Sequence, residues 1–276
     1  MTLHYDDCGR RQEEIRLSVL APCFNEGRNI DVLVDRTLDV FSLMGVQAEL
    51  ILVDDGSRDD TWRRIAARAN AEPRVRGIQH FSNGGIESAW HTGLTAARGR
   101  LVCLIDADLQ NRPEDIVRLH DAHALGQADI IQGVRHASAT LSRHKVFSRM
   151  LNRLLNFAFG TSLRDNKSGF LLGRREVLQA ILEHRFRYRY FQSFVGVAAC
   201  LRGYSIKEVD TAFEPRRAGR SFLPRFPILP SIRIGVELLK FRFEVCLFRG
   251  SFVHAHRGEN PWGVAEPSFR LAAGES

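Results

Sequence analysis

Long apolar segments are missing from this chain of 276 residues. No stretch reaches the roughly 18 uncharged apolar residues that a membrane-spanning helix needs. The polar N-terminal residues contain no hydrophobic region typical of a signal peptide. We therefore expect neither a transmembrane helix nor a secretory signal, and the expected location is the cytoplasm.

Cysteine is scarce as well. The chain has five cysteines, an odd number, and they lie far apart at Cys8, Cys23, Cys103, Cys200 and Cys246. A disulfide framework needs paired cysteines, and a zinc site needs closely spaced cysteine or histidine ligands. The sequence predicts neither, and this cysteine content is typical of a reducing compartment.

Acidic residues are outnumbered by basic ones, which gives a formal net charge of +7. This balance favours anionic partners, among them nucleotide diphosphates, phospholipid surfaces and nucleic acid. The hydrophobic content of 44% is enough for one large α/β core. The net charge alone does not show which of these anionic partners the protein binds.

Five short apolar runs alternate with segments of helical spacing in the first half of the chain. Such alternation is typical of βαβ units and predicts a mostly parallel sheet. The predicted strands are residues 17–21, 50–53, 75–80, 101–105 and 130–134. Helices are predicted from about Glu26, after Asp59 and Asp60, after Gly85 and from Pro113.

The fourth predicted strand ends in Asp106, and Asp108 and Gln110 follow at alternate positions. Open α/β sheets bind ligands at the carboxyl ends of their strands, and an extended chain would point these three side chains the same way. Carboxylate and amide oxygens suit a hard divalent cation that carries a diphosphate. A turn with two surface aspartates is the alternative interpretation.

Polar clusters also end the first two predicted strands, at residues 22–26 and 54–59. Neighbouring parallel strands bring such ends side by side, and the crevice between them suits a nucleotide. A carboxylate there can accept hydrogen bonds from ribose hydroxyls or a base N–H. Turn and helix-cap chemistry is the alternative, and by itself it explains Gly56, Ser57 and Asp59.

Four segments resemble, in the same order, the successive motifs of family 2 glycosyltransferases with the GT-A fold. They are PCFNEGRN, VDDGSRDDT, SNGGIESAWHTGLTAARG and LIDADLQNRPEDI. The resemblance extends over residues 15–222 and is strongest to dolichol-phosphate mannosyltransferases and bacterial polyprenyl-phosphate glycosyltransferases. It implies an α/β, Rossmann-like fold with a mostly parallel sheet flanked by helices. It also implies inverting transfer of a sugar from a UDP- or GDP-linked donor with Mg²⁺ or Mn²⁺.

The resemblance implies roles for individual residues. It puts the base and ribose of the nucleotide near Pro22, Asn25, Glu26, Asp54 and Asp55. It implies metal ligands at Asp106, Asp108 and Gln110, with Asp108 required for catalysis.

Two later segments resemble the polyprenyl-phosphate subgroup. DNKSGF at residues 165–170 matches a D-x-x-S-G-F segment, which implies that Asp165 orients donor hydroxyls or acts as a catalytic base and that Ser168 lies near phosphate. Residues 216–222 match an R-x-x-G-x-S-K loop, with Phe222 in place of the lysine. The candidate phosphate or acceptor ligands are Arg135, Ser168, Arg216, Arg217 and Arg220. The alternatives are a loop turning into a strand for Ser168, a solvated basic loop for Arg216, Arg217 and Arg220, and a solvated face for Arg135.

The chain lacks the Glu-Asp pair and the Gln-x-x-Arg-Trp pattern of family members that polymerise hexoses. A lipid phosphate is already anionic at neutral pH and needs no strong base, so we expect a polyprenyl phosphate acceptor. We expect no nucleic-acid partner. A soluble hydroxyl acceptor is the main alternative, and a non-catalytic nucleotide- or phospholipid-binding protein is an alternative of another class. No G-x-G-x-x-G follows the first strand, which disfavours a nicotinamide-dependent dehydrogenase.

The expected organisation is a flexible N-terminus at 1–14, a GT-A domain at 15–222, an amphipathic helical element at 223–250 and a disordered tail at 251–276. A helix at 231–248 would be apolar over most of its circumference. It therefore needs a membrane surface, the core or the second subunit of a homodimer to cover it. Membrane contact would place the protein at the inner face of the membrane.

Overall fold

The computed structural model describes residues 15–135, 152–153, 155–157, 159–166, 168–184, 188, 191–215, 228–247 and 269–271. The strands are β1 (Leu17–Cys23), β2 (Ala48–Asp54), β3 (Val75–His80), β4 (Leu101–Leu104), β5 (Ile130–Arg135), β6 (Leu171–Arg174), β7 (Ile206–Thr211) and β8 (Phe269–Leu271). The α-helices are α1 (Gly27–Met44), α2 (Thr61–Ala71), α3 (Ile86–Ala96), α4 (Ile116–Ala124), α5 (Arg175–Leu182), α6 (Val195–Leu201) and α7 (Ile228–Leu247). Two 3₁₀ helices lie at Pro113–Asp115 and Phe191–Phe194, and residues 152–153, 155–157 and 159 are also helical.

The strands form one eight-stranded sheet in the order β7-β5-β6-β4-β1-β2-β3-β8. β1 pairs in parallel with β2 and β4, and β2 pairs in parallel with β3. β6 lies antiparallel between β4 and β5, and β8 is antiparallel to β3. The predicted mostly parallel sheet is confirmed, and the five predicted strands are present with small differences at their ends.

Both faces of the central strands are covered by helices. Val19 lies in the core formed with α1, α2 and α4, whereas its neighbour Leu20 lies in the core formed with α3, α5, α6 and α7. Successive residues of a strand point to opposite faces, so burial on both faces requires a continuous apolar run. Within the central strands, the polar side chains of Ser18 and Glu49 are buried and hydrogen-bonded to each other.

The start of α2 differs in detail from the prediction that Asp59 and Asp60 cap it. Asp60 is at the N-cap position but makes no capping bond, and it pairs with Arg64 at 2.7 Å instead. Asp59 accepts the Thr61 N–H at 3.0 Å through one oxygen and the Gly27 N–H at 3.2 Å through the other. One carboxylate thus joins the N-terminal ends of α1 and α2, which follow the carboxyl ends of β1 and β2.

The C-terminal part confirms one expectation and corrects another. The predicted helix at 231–248 is present as α7 and packs on the core through Ile234, Leu238 and Phe241. The expectation of a disordered tail is wrong for Phe269–Leu271, because these residues form β8 against β3. The N-terminal residues 1–14 lie outside the described residues. None of the helices in the described part of the chain is long and apolar enough to cross a membrane.

Candidate active site

The three polar clusters predicted at strand ends meet at one edge of the sheet. β1 lies between β2 and β4 and runs parallel to both, with Cys23 opposite Asp54 and Leu20 opposite Leu104. The segments that follow these strands therefore leave the sheet on the same side. This edge is the candidate active site.

Asn25 connects the loops that follow β1 and β2. Its N–H donates to Ser57 Oγ at 2.9 Å, and its side-chain oxygen accepts the Arg58 N–H at 2.8 Å. The backbone of Asn25 is left-handed, with φ of 56°, a conformation that asparagine tolerates better than most residues. Next to it, Glu26 accepts the Asn29 amide at 2.5 Å. Pro22 is half-buried at the end of β1.

Asp54 and Asp55 are buried and hold loops in place. Asp54 accepts the Ser57 N–H at 3.1 Å and the Gln79 amide at 3.2 Å. Asp55 accepts the N–H groups of Gly84 and Gly85 at 2.9 and 2.8 Å. These bonds fit the turn chemistry weighed as the alternative, and direct contact with a nucleotide remains a prediction for both acids.

His80 completes this arrangement, and sequence reasoning missed it. Its Nδ1 lies 2.8 Å from Asp55 Oδ1, and its Nε2 lies 2.9 Å from Thr92 Oγ1. A carboxylate only accepts, so Nδ1 carries the proton and donates to Asp55. All three side chains are buried. This series of hydrogen bonds joins the end of β2 and β3 to α3. Through Asp55 it also fixes the loop of Gly84 and Gly85, which connects β3 to α3.

The predicted metal motif follows β4 as a tight loop. The strand ends at Leu104, and Leu109 is left-handed with φ of 60°, so the extended geometry that would align the three side chains does not persist. Asp108 is 7% exposed and accepts the Gln110 N–H at 3.0 Å. Asp106 and Gln110 are half-buried. No group of three or more His, Cys, Asp or Glu side chains with metal-binding geometry occurs among the described residues.

The segment that carries Asp165 is held by side chains from three other parts of the chain. Its N–H donates to Glu208 of β7 at 3.1 Å, and its carbonyl accepts the Gln132 amide of β5 at 2.9 Å. Asn152 donates to the carbonyls of Leu163 and Arg164 at 2.7 and 3.0 Å. Side chains thus provide hydrogen-bond partners for backbone N–H and carbonyl groups in a segment that has no regular secondary structure. None of these amides stood out in the sequence, because isolated Asn and Gln residues carry no local pattern.

The following residues join this segment to the sheet. The Ser168 hydroxyl donates to the Gly133 carbonyl at 2.6 Å, which fits a loop turning into β6, and its contact with phosphate remains a prediction. Gly169 borders the metal motif, because the Gln192 side chain that touches it also donates to Asp106. The structure therefore brings the D-x-x-S-G-F segment and the metal motif together.

Arg135 lies next to the segment that leads into the predicted basic loop. Its guanidinium is 3.8 Å from the centroid of the Phe213 ring, and Phe213 forms an isolated β-bridge with Asn111. The next residue, Glu214, donates its N–H to the Gln110 carbonyl at 2.9 Å. The chain around Phe213 is thus attached to the metal motif. The three remaining arginine candidates, Arg216, Arg217 and Arg220, lie outside the described residues.

Arg36 of α1 ties the same region together by ion pairs. It contacts Glu114 at 2.6 Å and Glu214 at 3.0 Å. Burial opposes ionisation of Glu114, but the hydrogen bond and charge of Arg36 outweigh it and lower the pKa of this carboxyl. One guanidinium therefore links α1, the helix after the metal motif and the segment after β7.

Comparison with known proteins agrees with this arrangement. The family model described as glycosyl transferase family 2 matches residues 18–182. An undecaprenyl-phosphate 4-deoxy-4-formamido-L-arabinose transferase of Yersinia enterocolitica is 35% identical over 226 residues, covering 81% of this chain and 66% of the relative. A transferase of the same name from Shewanella sediminis is 32% identical over 74% of this chain and 61% of its own length. The chain thus spans about two thirds or less of these relatives.

Solved structures share the fold. Glucosyl-3-phosphoglycerate synthase from Mycobacterium tuberculosis with Mn²⁺ and UDP-glucose superposes with a TM-score of 0.60 at 22% identity, over 82% of this chain and 78% of that one. A complex of that synthase with Mn²⁺, UDP and glucosyl-3-phosphoglycerate gives a TM-score of 0.56 at 20% identity, over 74% and 73% of the two chains. At this identity the likeness shows the fold alone. The fold and the family model lead to one conclusion, that the chain belongs to glycosyl transferase family 2.

Proposed function

We propose that this protein is an inverting, metal-dependent glycosyltransferase that moves a sugar from a nucleotide-diphosphate sugar to a polyprenyl phosphate. The observation that carries the proposal is the junction of Asp106, Asp108 and the Asp165–Phe170 segment at the ligand-binding edge of the sheet. The names of the Yersinia and Shewanella relatives support the polyprenyl phosphate acceptor.

The donor set fits Mg²⁺ or Mn²⁺ bound together with a diphosphate. Asp106, Asp108 and Gln110 offer only oxygen ligands, which hard divalent cations prefer, and their small number leaves coordination positions for diphosphate oxygens. When bound, such a cation neutralises the charge that develops on the departing diphosphate. The Mycobacterium synthase, which was crystallised with Mn²⁺ and UDP, supports this assignment.

The nucleotide is proposed to bind where the loops after β1 and β2 meet. Asn25 is exposed there, and Glu26 and Pro22 are half-buried beside it. Asp54 holds the loop after β2, and Asp55 holds the neighbouring loop after β3, through hydrogen bonds to backbone N–H groups. A crevice built in this way keeps its shape before the donor arrives, which lowers the entropic cost of binding.

The acceptor is proposed to approach from the side of β5 and β6. An oxygen of the lipid phosphate attacks the anomeric carbon while the bond from that carbon to the diphosphate breaks, and the nucleoside diphosphate leaves. No proton has to be removed from an acceptor that is already anionic. Arg135 binds the acceptor phosphate, with Arg216, Arg217 and Arg220 as further candidates, and Asp165 orients hydroxyl groups of the donor.

Peripheral contact with an anionic membrane follows from the exposed face of α7. Val236, Leu239, Phe243 and Leu247 recur on one side of this helix and are 58–68% exposed. The charged side chains of the helix that are exposed in the described structure are all basic, namely Arg233, Lys240 and Arg242. An apolar stripe with basic flanks suits an anionic bilayer surface, where a polyprenyl phosphate would be presented.

A donor panel tests the proposal. Purified protein with Mn²⁺ is mixed with UDP-glucose, UDP-N-acetylglucosamine, GDP-mannose and nucleotide-linked 4-deoxy-4-formamido-L-arabinose, with and without undecaprenyl phosphate. We expect release of nucleoside diphosphate from one donor, accelerated by the lipid phosphate. Acceleration by a soluble hydroxyl acceptor alone would favour the main alternative, and no release from any donor would favour a binding protein.

A further inference from the structure

Gln192 is a polar side chain at the candidate active site that belongs to none of the sequence motifs. It lies on the 3₁₀ helix Phe191–Phe194, between two phenylalanines that are completely buried and whose ring centroids are 5.2 Å apart. These two anchors fix the turn in the core, while Gln192 itself is only half-buried. The core therefore fixes the backbone from which the Gln192 side chain extends.

The amide of Gln192 contacts the metal motif on one side. Its Nε2 lies 3.3 Å from Oδ1 and 3.4 Å from Oδ2 of Asp106. These distances are longer than the usual 2.9–3.0 Å of an N–H to oxygen hydrogen bond, so each of the two bonds is weak. The amide is thus shared between two oxygens that a divalent cation would also contact.

On its other side the same amide contacts the D-x-x-S-G-F segment. A Cβ atom at Gly169 would lie 2.7 Å from Gln192 Nε2 and 3.2 Å from the buried Trp90 ring, so only glycine leaves room for the amide. Gln192 therefore occupies the space between Asp106 and Gly169. In the proposed reaction the transferred sugar lies beside this amide, because the diphosphate is held on the Asp106 side and the acceptor arrives on the Gly169 side.

We propose that Gln192 recognises a hydroxyl group of the donor sugar and holds the Asp106 carboxylate until the donor binds. This inference rests on the proposed function. A divalent cation held by Asp106 would draw on the same two carboxylate oxygens, and the weakly bound amide of Gln192 would then be free to turn towards the donor sugar. The released amide offers both a donor and an acceptor to a sugar hydroxyl. Gln192 would then contribute to the choice of sugar, whereas the residues of β1 and β2 choose the base.

Binding measurements separate this role from a purely structural one. Calorimetry with Mn²⁺ compares the affinity for the nucleoside diphosphate with the affinity for the matching nucleotide sugar, using the donor that the panel above identifies. We expect Gln192→Ala to bind the nucleoside diphosphate as tightly as the wild type, or more tightly. The gain in affinity that the sugar provides should fall about 3- to 10-fold, which corresponds to the loss of one hydrogen bond. Gln127→Ala, at an exposed glutamine after α4, is the matched control and should change neither value.

Two further variants keep the test decisive if Gln192→Ala folds poorly. Gln192→Asn retains the amide but shortens its reach, and Gly169→Ala pushes the amide aside without removing it. Both should reduce the sugar-dependent gain while leaving affinity for the nucleoside diphosphate in place. An equal loss of affinity for both ligands, or an unchanged sugar-dependent gain, would overturn the role of Gln192. A wild-type protein that binds no nucleotide sugar would overturn the proposed function itself, and this result is seen without any variant.

Discussion

Asp108 combines near-complete burial with a position at the edge of the sheet that is proposed to bind the donor, and this combination makes it the most informative single residue to change. Asparagine in its place can still accept the Gln110 N–H, so the loop should keep its shape, but the negative charge is lost. We expect Asp108→Asn to lower the rate of nucleoside diphosphate release about 100-fold or more, with an unchanged melting temperature. Asp121→Asn, at an exposed aspartate of α4, serves as the control and should retain full activity. Full activity of Asp108→Asn would remove this residue from the metal site.

Asn152 provides a second prediction at the same scale. Aspartate at this position still accepts from Asn166 but can no longer donate to the carbonyls of Leu163 and Arg164. We expect Asn152→Asp to destabilise the protein by about 1–3 kcal/mol and to lower kcat, because the segment that carries Asp165 loses its support. Affinity for the donor nucleotide, measured by calorimetry, should stay close to that of the wild type.

Asn70→Asp changes the net charge by the same amount at an exposed position of α2 and is the matched control. If Asn152→Asp weakens nucleotide binding as strongly as it lowers kcat, the amide network supports the whole site and not the Asp165 segment in particular.

Local motifs predicted which residues gather at the active-site edge but not how each one is used. Asp55 shows the reason, since its partners are His80 and the backbone of Gly84 and Gly85, about 25 to 30 positions further along the chain. A short motif cannot distinguish a carboxylate that binds a ligand from one that holds a distant loop. Gln192 was missed for the same reason, because its contact with Asp106 joins residues 86 positions apart.

At the scale of elements, the ion pairs of Arg36 connect α1 to the 3₁₀ helix after the metal motif and to the segment after β7. Arg36 lowers the pKa of Glu114, so ionised Glu114 adds stability above the ordinary carboxyl pKa of about 4.3, and this contribution is lost as the pH falls below it. Arg36→Met removes the contribution at neutral pH. We expect its melting temperature to be about 4 °C lower than that of the wild type at pH 7, and the difference to shrink at pH 3.5.

Arg98→Met is the matched control, because Arg98 is exposed and its side chain forms no ion pair within the described part of the chain. A difference between wild type and Arg36→Met that stays constant from pH 7 to pH 3.5 would contradict the assigned pairing. The difference in melting temperature is measured over this pH range by thermal unfolding, with circular dichroism as the signal.

The elements themselves were predictable where both faces of the sheet are covered. β1, β2 and β4 are mostly apolar and buried, and burial on both faces leaves a strong signal in the sequence. β8 was not predictable, because its three residues lie in a polar tail and become a strand only by pairing with the edge strand β3. Tertiary pairing of this kind leaves no pattern in the paired segment alone.

At the scale of the whole molecule, the basic charge of the chain and the exposed face of α7 act in the same direction. A net charge of +7 attracts the protein to an anionic surface over a distance set by the ionic strength. The apolar stripe of α7 then supplies contact that salt does not screen. The free energy of binding to an anionic membrane should therefore have one component that salt weakens and one that it does not.

Vesicle sedimentation can measure the two parts separately. We expect binding to vesicles that contain phosphatidylglycerol to exceed binding to neutral phosphatidylcholine vesicles. The difference should decrease between 50 and 500 mM salt, because salt screens the attraction of about 1 kcal/mol that each basic residue near the surface contributes. Replacing Leu239 and Phe243 with serine should reduce binding at every salt concentration. The same change at Leu43 and Leu125, which are 78% and 74% exposed on other elements, is the control and should leave binding intact. Equal losses from the two pairs of substitutions would show that α7 is not the surface that meets the membrane.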